Sequence, residues 1–161
     1  MVIQVGGPKC SCGNSGCFEA LASRTSIFRE LARRVKEGEK TLLTESLKEG
    51  ESIIDLKSGD LRKALRKGDK LAAKVLQEAA KHTGIAVANL VNILSPQTVV
   101  LGGGVMDALE DDLMPIILET ARNYAMPGTL KDVEILASKL GDAAGITGAA
   151  VLVRQRLKLT D

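Results

Sequence analysis

Apolar positions along the chain fall into a few clearly spaced groups. Met1 to Val5 is a short apolar run that meets Gly6-Gly7-Pro8, which predicts a strand ending in a turn. From Cys17 the spacing becomes helical. Phe18, Leu21 and Ala22 form one set, and Ile27, Leu31 and Val35 follow at intervals of four with charged residues between them. This predicts an amphipathic helix, or a pair broken near Ser23 to Ser26, that stops at Gly38. Between 39 and 68 the pattern is weak. Leu42, Leu43 and Leu47 suggest a short helix closed by Gly50. Ser58 or Asp60 would cap another, which carries Leu61, Ala64 and Leu65 and ends at Gly68.

The strongest pattern follows. Asp69 is placed to cap a long helix whose stripe runs Leu71, Val75, Leu76, Ala79, Thr83, Ala86, Val87, Leu90, Val91 and Leu94. Its second half is apolar or small almost throughout, as in a central helix. Ser95-Pro96 ends it. Thr98 to Leu101 reads as a buried strand that opens directly onto Gly102-Gly103-Gly104. A helix over about Leu109 to Tyr124 follows, with Pro115 interrupting it or in its first turn. Val133 to Leu136 reads as another strand. Gly141 to Ala150 opens a last helix, with Asp142 as its cap, and its small residues predict close packing against a neighbour. Strands alternating with helices predict one α/β domain over residues 1–161, helix-rich with a small sheet.

Composition narrows the picture. Only 2% of residues are aromatic, so the core is aliphatic. A net charge of +2, with acids and bases interleaved along helical faces, gives no footprint for nucleic acid. There is no membrane-length apolar run and no signal-peptide pattern, so a cytoplasmic protein is expected.

All three cysteines lie between residues 10 and 17 in the spacing C-x-C-x4-C, with Gly13 and Gly16 in the loop. An odd, clustered set without a signal sequence argues against disulfides. Thiols closing on a Gly-rich turn converge on a metal, and thiolates suit zinc. We therefore read Cys10, Cys12 and Cys17 as ligands in a zinc loop spanning 6–19. The single histidine, His82, is either a fourth ligand or a helix-packing residue. Glu19, just where a helix begins, reads by itself as a first-turn acid favoured by the helix dipole. Gly102 and Gly103 are either a tight turn or a place where backbone meets ligand.

The run Cys10 to Glu19, C-x-C-G-x-x-G-C-x-E, resembles the signature of the ROK family of sugar kinases and sugar-responsive repressors. Val99 to Val105 and Leu140 to Ala150 resemble the same family's two C-terminal motifs. The resemblance implies the C-terminal lobe of an actin-like, ribonuclease H-like ATPase fold. It implies ATP-dependent phosphorylation of a hexose, glucose first, by the intact protein, with sugar and ATP-Mg2+ as partners, a homo-oligomer, and no membrane or nucleic-acid partner. It makes Cys10, Cys12 and Cys17 ligands of structural zinc, Glu19 a sugar ligand, and Gly102 and Gly103 the seat of adenosine. No catalytic residue is assigned to this chain. The family's histidine zinc ligand falls at or before Met1, and its phosphate loop and aspartate base are not matched. The chain is thus expected to start part-way through a larger protein and to be inactive alone. The sugar-sensing domain of a ROK repressor is the alternative.

Overall fold

The computed structural model describes residues 1–157, the side chain of Asp142 excepted. The first helices are α1 (Phe18–Ala22) and α2 (Arg24–Lys36). They are two elements because Ser23 is extended, with φ −68° and ψ 156°. It ends α1 and caps α2, its hydroxyl accepting from the Ser26 N–H. The segment after Gly38 holds two short 3-10 turns, Leu42–Ser46 and Ile53–Asp55, and then α3 (Ser58–Arg66). Lys57, rather than Ser58 or Asp60, occupies the cap position of α3. Asp60 closes the turn from inside by accepting the Lys57 N–H.

The central helix α4 (Lys70–Leu94) starts at Asp69 as its sequence predicts. The Asp69 carboxylate is buried and accepts from the Ala72 and Leu42 N–H groups and from the Thr41 hydroxyl, at 2.9, 2.7 and 2.5 Å. It therefore ties the start of α4 to the loop after α2. Ser95, in the left-handed conformation with φ 45°, ends the helix.

Strand β1 (Thr98–Leu101), helix α5 (Gly104–Tyr124) and strand β2 (Glu134–Ala137) form a parallel β-α-β unit in which Val99 pairs with Ile135. Val99, Leu101 and Ile135 face the helices, whereas Val100 and Leu136 face outward. Helices α4 and α5 make the main contact. Gly84 is what lets them approach, since a Cβ there would lie 2.5 Å from that of Thr120. Phe28, Leu31, Leu61, Val87, Leu109 and Ile117 are fully buried around this pair. Each such side chain contributes roughly 1.5–3 kcal/mol by leaving water.

Four expectations change. Thr98 to Leu101 is not a buried strand, since Thr98 and Val100 are exposed and Val99 and Leu101 are half-buried. Met1 to Val5 is not a strand. Only Val2 pairs, in an isolated antiparallel bridge with Cys17, and Val5 is 98% exposed. Helix α5 starts at Gly104, five residues earlier than its apolar spacing indicates. Leu109 breaks its geometry (φ −139°, ψ 26°), so the stripe reads cleanly only beyond it, and Pro115 lies inside. The last helix, α6 (Ala144–Arg156), buries no residue and has its main contact with the preceding turn Gly141–Ala143, so the close packing that its small residues predict is not found among the described residues. The predicted cap, the Asp142 side chain, lies outside the described residues.

Candidate functional site

The cysteine loop is folded back on itself by backbone bonds. Lys9 and Ser15 form an antiparallel bridge, the Cys10 N–H donates to Asn14 O (2.9 Å), and the Gly13 N–H donates to Cys10 O (3.1 Å). The N-terminal segment clamps the far end. Ile3 N–H donates to Gly16 O, Gly16 N–H to Pro8 O, and Phe18 N–H to Met1 O. Gly16 has φ +72°, and a Cβ on it would lie 1.6 Å from the Gln4 carbonyl oxygen. No other residue fits there.

This folding brings Cys10, Cys12 and Cys17 together, with their sulfurs within 4.8 Å of one another. Cys12 is exposed and its thiol is shifted to lower pKa, chiefly by the Asn14 N–H. Cys17 is buried, and contact with the Cys12 thiol, aided by burial, pushes it up to about 11. Three soft donors at this separation fit a tetrahedral thiolate-binding metal. Among the described residues no histidine or carboxylate joins them. His82 stands instead in a groove lined by α1, α2 and α4 together with Gln4 and Glu78. Its Nδ1 is buried without a partner, and desolvation lowers its pKa.

Cys17 is also the residue on which α1 begins, so the metal loop and Glu19 are two residues apart on one rigid turn. The Glu19 carbonyl is held from the other side. It accepts the Ser23 N–H (3.1 Å) and the Ser26 hydroxyl (2.7 Å). Its backbone is thus fixed at both ends while its carboxylate stays exposed.

That turn forms one wall of a cavity of about 500 Å3. Gly102, Gly103 and Gly104, at the mouth of β1, line the same cavity. The floor is apolar, supplied by Ile27, Ala79 and Leu113. Gly103 has φ +110° with open space where a Cβ would be, whereas a Cβ on Gly102 would touch Ser138 at 3.4 Å. Residues some eighty positions apart in sequence therefore share one cavity of ligand size. Sequence reasoning missed Arg24, which also lines it. Arg24 is the first residue of α2, where the helix dipole disfavours a cation. That local mismatch was the available signal.

The ROK family model matches residues 1–156. The chain belongs to the ROK family. A glucokinase from Halalkalibacterium halodurans is 36% identical over 155 residues, which is 96% of this chain and 46% of that protein. The chain spans about half the length of the curated glucokinases it matches. Among solved structures, a ROK glucokinase from Streptomyces griseus in complex with glucose and AMPPNP superposes with a TM-score of 0.80 at 30% identity, over 96% of this chain and 50% of that one. A ROK transcriptional regulator, a homologue of the E. coli MLC protein, superposes at 0.78 and 28% identity, over 94% and 36%. The fold is that of the ROK sugar kinases. No helix among the described residues is long and apolar enough to cross a membrane.

Proposed function

We propose that this chain provides the sugar-facing and nucleotide-facing walls of an ATP-dependent hexose kinase of the glucokinase type. The observation that carries the reading is the single cavity shared by Glu19 and by Gly102 and Gly103. A carboxylate on a fixed turn accepts hydrogen bonds from vicinal hydroxyls, and exposed glycine backbone admits a flat nucleoside. Glucose is the favoured hexose, because two relatives named glucokinase match this chain at 36% and 34% identity. Magnesium would arrive with ATP.

Cys10, Cys12 and Cys17 hold a structural zinc in this reading. Zinc supplies no redox chemistry and fixes the loop from which α1 starts. Zinc thereby aims Glu19, whose role is to bind the sugar and orient it toward the donor. No general base is assigned among these residues, so the isolated chain is expected to bind ligands without turning them over. A cytoplasmic homo-oligomer suits the same reading.

The second reading is the sugar-sensing domain of a ROK repressor, supported by the fit to the MLC homologue. Nucleotide binding separates the two. Titrating the zinc-loaded chain with glucose and with AMPPNP should give binding of both. Glu19→Gln should weaken glucose at least about tenfold, or 1.4 kcal/mol, and leave AMPPNP unchanged. Glucose binding without nucleotide binding would favour the sensor. Unchanged glucose affinity in the variant would remove Glu19 from the site.

A further inference from the structure

The three thiols of the cysteine loop are not equivalent. Cys12 is exposed, Cys10 is half-buried and Cys17 is buried. All three sulfurs lie within 4.8 Å of one another, and those of Cys12 and Cys17 stand 3.6 Å apart. Gly13 and Gly16, at φ +91° and +72°, turn the chain between that pair so that residues five apart face each other. A disulfide needs the two sulfurs to close to about 2.05 Å. The Cys17 side is held, because Gly16 O accepts the Ile3 N–H and the Phe18 N–H donates to Met1 O. The Cys12 side can move, since nothing lies within 4 Å of a Cβ added at Gly13.

Oxidation by peroxides selects thiolates that are accessible and stand beside a second, resolving cysteine. Cys12 meets the first condition and Cys17 supplies the second. Burial of Cys17 is no obstacle, because it reacts only with its neighbour 3.6 Å away.

We infer that Cys12 and Cys17 are a peroxide-sensitive pair, joined on oxidation in a disulfide that spares Cys10 and releases the metal from the loop. Hydrogen peroxide is the oxidant. The Cys12 thiolate attacks one peroxide oxygen, the O–O bond breaks, and the departing hydroxide takes a proton to become water. Cys12 is then a sulfenic acid. The Cys17 thiolate attacks the Cys12 sulfur, the S–O bond breaks, and a second hydroxide leaves as water. The two thiolates lose two electrons, and one peroxide gains them. Cys10 is left as a single sulfur donor, too few to retain zinc. A dithiol reductant reverses the bond by exchange. Cys17 is the residue on which α1 begins, so the change reaches Glu19 two positions on. That last consequence rests on the sugar reading above, whereas the thiol chemistry does not.

The test treats the zinc-loaded chain with hydrogen peroxide beside a zinc-binding dye. Free thiols are alkylated with one label, and thiols freed by reduction with a second. Lys9 and Arg24 flank the cysteines, so trypsin releases all three in one peptide, and fragment sequencing places each label. About one zinc should appear for each pair of thiols lost, with the first label on Cys10 alone and zinc binding restored by a dithiol. The zinc-free chain should show the same pairing. Cys10→Ser should still form the disulfide, and Cys12→Ser should not. A disulfide that includes Cys10, a bond between chains, a sulfinic acid at Cys12, or thiols untouched by peroxide would overturn the pair. Glucose affinity should fall at least about threefold on oxidation. An unchanged affinity would break the link from the loop to Glu19. Failure of the reduced, zinc-loaded chain to bind glucose would sink the sugar reading and leave the thiol pair standing.

Discussion

Replacing Gly16 with alanine tests how the cysteine loop is held. Two costs arise. The residue sits at φ +72°, where an L side chain costs about 1–2 kcal/mol. The new Cβ would also fall 1.6 Å from the Gln4 carbonyl oxygen. Both partners are fixed by backbone, so no rotamer relieves the overlap. The cheapest relief lifts the segment Met1 to Gln4, breaking the bonds from Ile3 N–H and Gln4 N–H to Gly16 O and from Phe18 N–H to Met1 O. At roughly 1 kcal/mol net each, these add about 2–3 kcal/mol. The variant should therefore lose about 3–5 kcal/mol, a fall of about 10 °C in Tm for a domain of this size. Gly13→Ala is the control. Gly13 has φ +91° in the same loop but nothing within 4 Å of an added Cβ, so only the backbone cost of about 1–2 kcal/mol applies. Urea denaturation of the two zinc-loaded variants, with zinc affinity measured by chelator competition, reads the difference. If they lose equal stability within about 0.5 kcal/mol, the clamp by Met1 to Gln4 does not exist as described.

Other outcomes follow from the same contacts. Metal analysis should give about one zinc per chain, with Cys10, Cys12 and Cys17 shielded from thiol reagents until a chelator is added; three thiols that react equally fast with and without zinc would exclude the site. Asp69→Ala removes the cap of α4 and orphans the Leu42 N–H and Thr41 hydroxyl, for a loss of about 2–4 kcal/mol in thermal denaturation. Burial pushes the Asp69 carboxyl up, but its hydrogen bonds from Ala72, Thr41 and Leu42 outweigh that and hold it below the usual carboxylate range. Its stabilisation is then complete above about pH 4 and fades as pH falls through the lowered pKa. The difference between wild type and Asp69→Ala should shrink in acid; a constant gap would show that the carboxylate charge is not involved.

Much of the architecture was legible because single residues decide it. Asp69, the apolar stripe of α4 and Ser95-Pro96 give that helix both ends and most of its buried face, but Leu90 and Leu94 of the predicted stripe are exposed. The β-branched run before Gly102 and the run Val133 to Leu136 give the parallel pair, shifted by one residue at β2. The N-terminal run misled because five apolar residues resemble a strand, whereas the Gly7 and Gly16 contacts hold the segment as a clamp on a loop. The early start of α5 was hidden by the break at Leu109, which puts the residues before it out of phase with the stripe. Small residues in α6 signal close packing but not with what. The cysteine cluster was legible because all its members are local. The cavity joining Glu19 to Gly103 was not, since it arises from packing between segments distant in sequence, with α1 resting against α4.

Helix α1 has five residues and buries none of them fully. A lone turn of that length does not persist in water, because nucleation fixes several dihedral angles for a single hydrogen bond. It exists here because Cys17 anchors its start and Ser23 and Ser26 hold its end. Releasing the first anchor, by stripping metal from the thiols, would let the turn melt locally while the α4–α5 pair stays folded. Occupancy of the thiol cluster would then act as an order parameter for Glu19. Sugar affinity would be set by the fraction of time the turn is formed, and hydrogen exchange at the backbone amides of residues 21 and 22 would report that fraction directly.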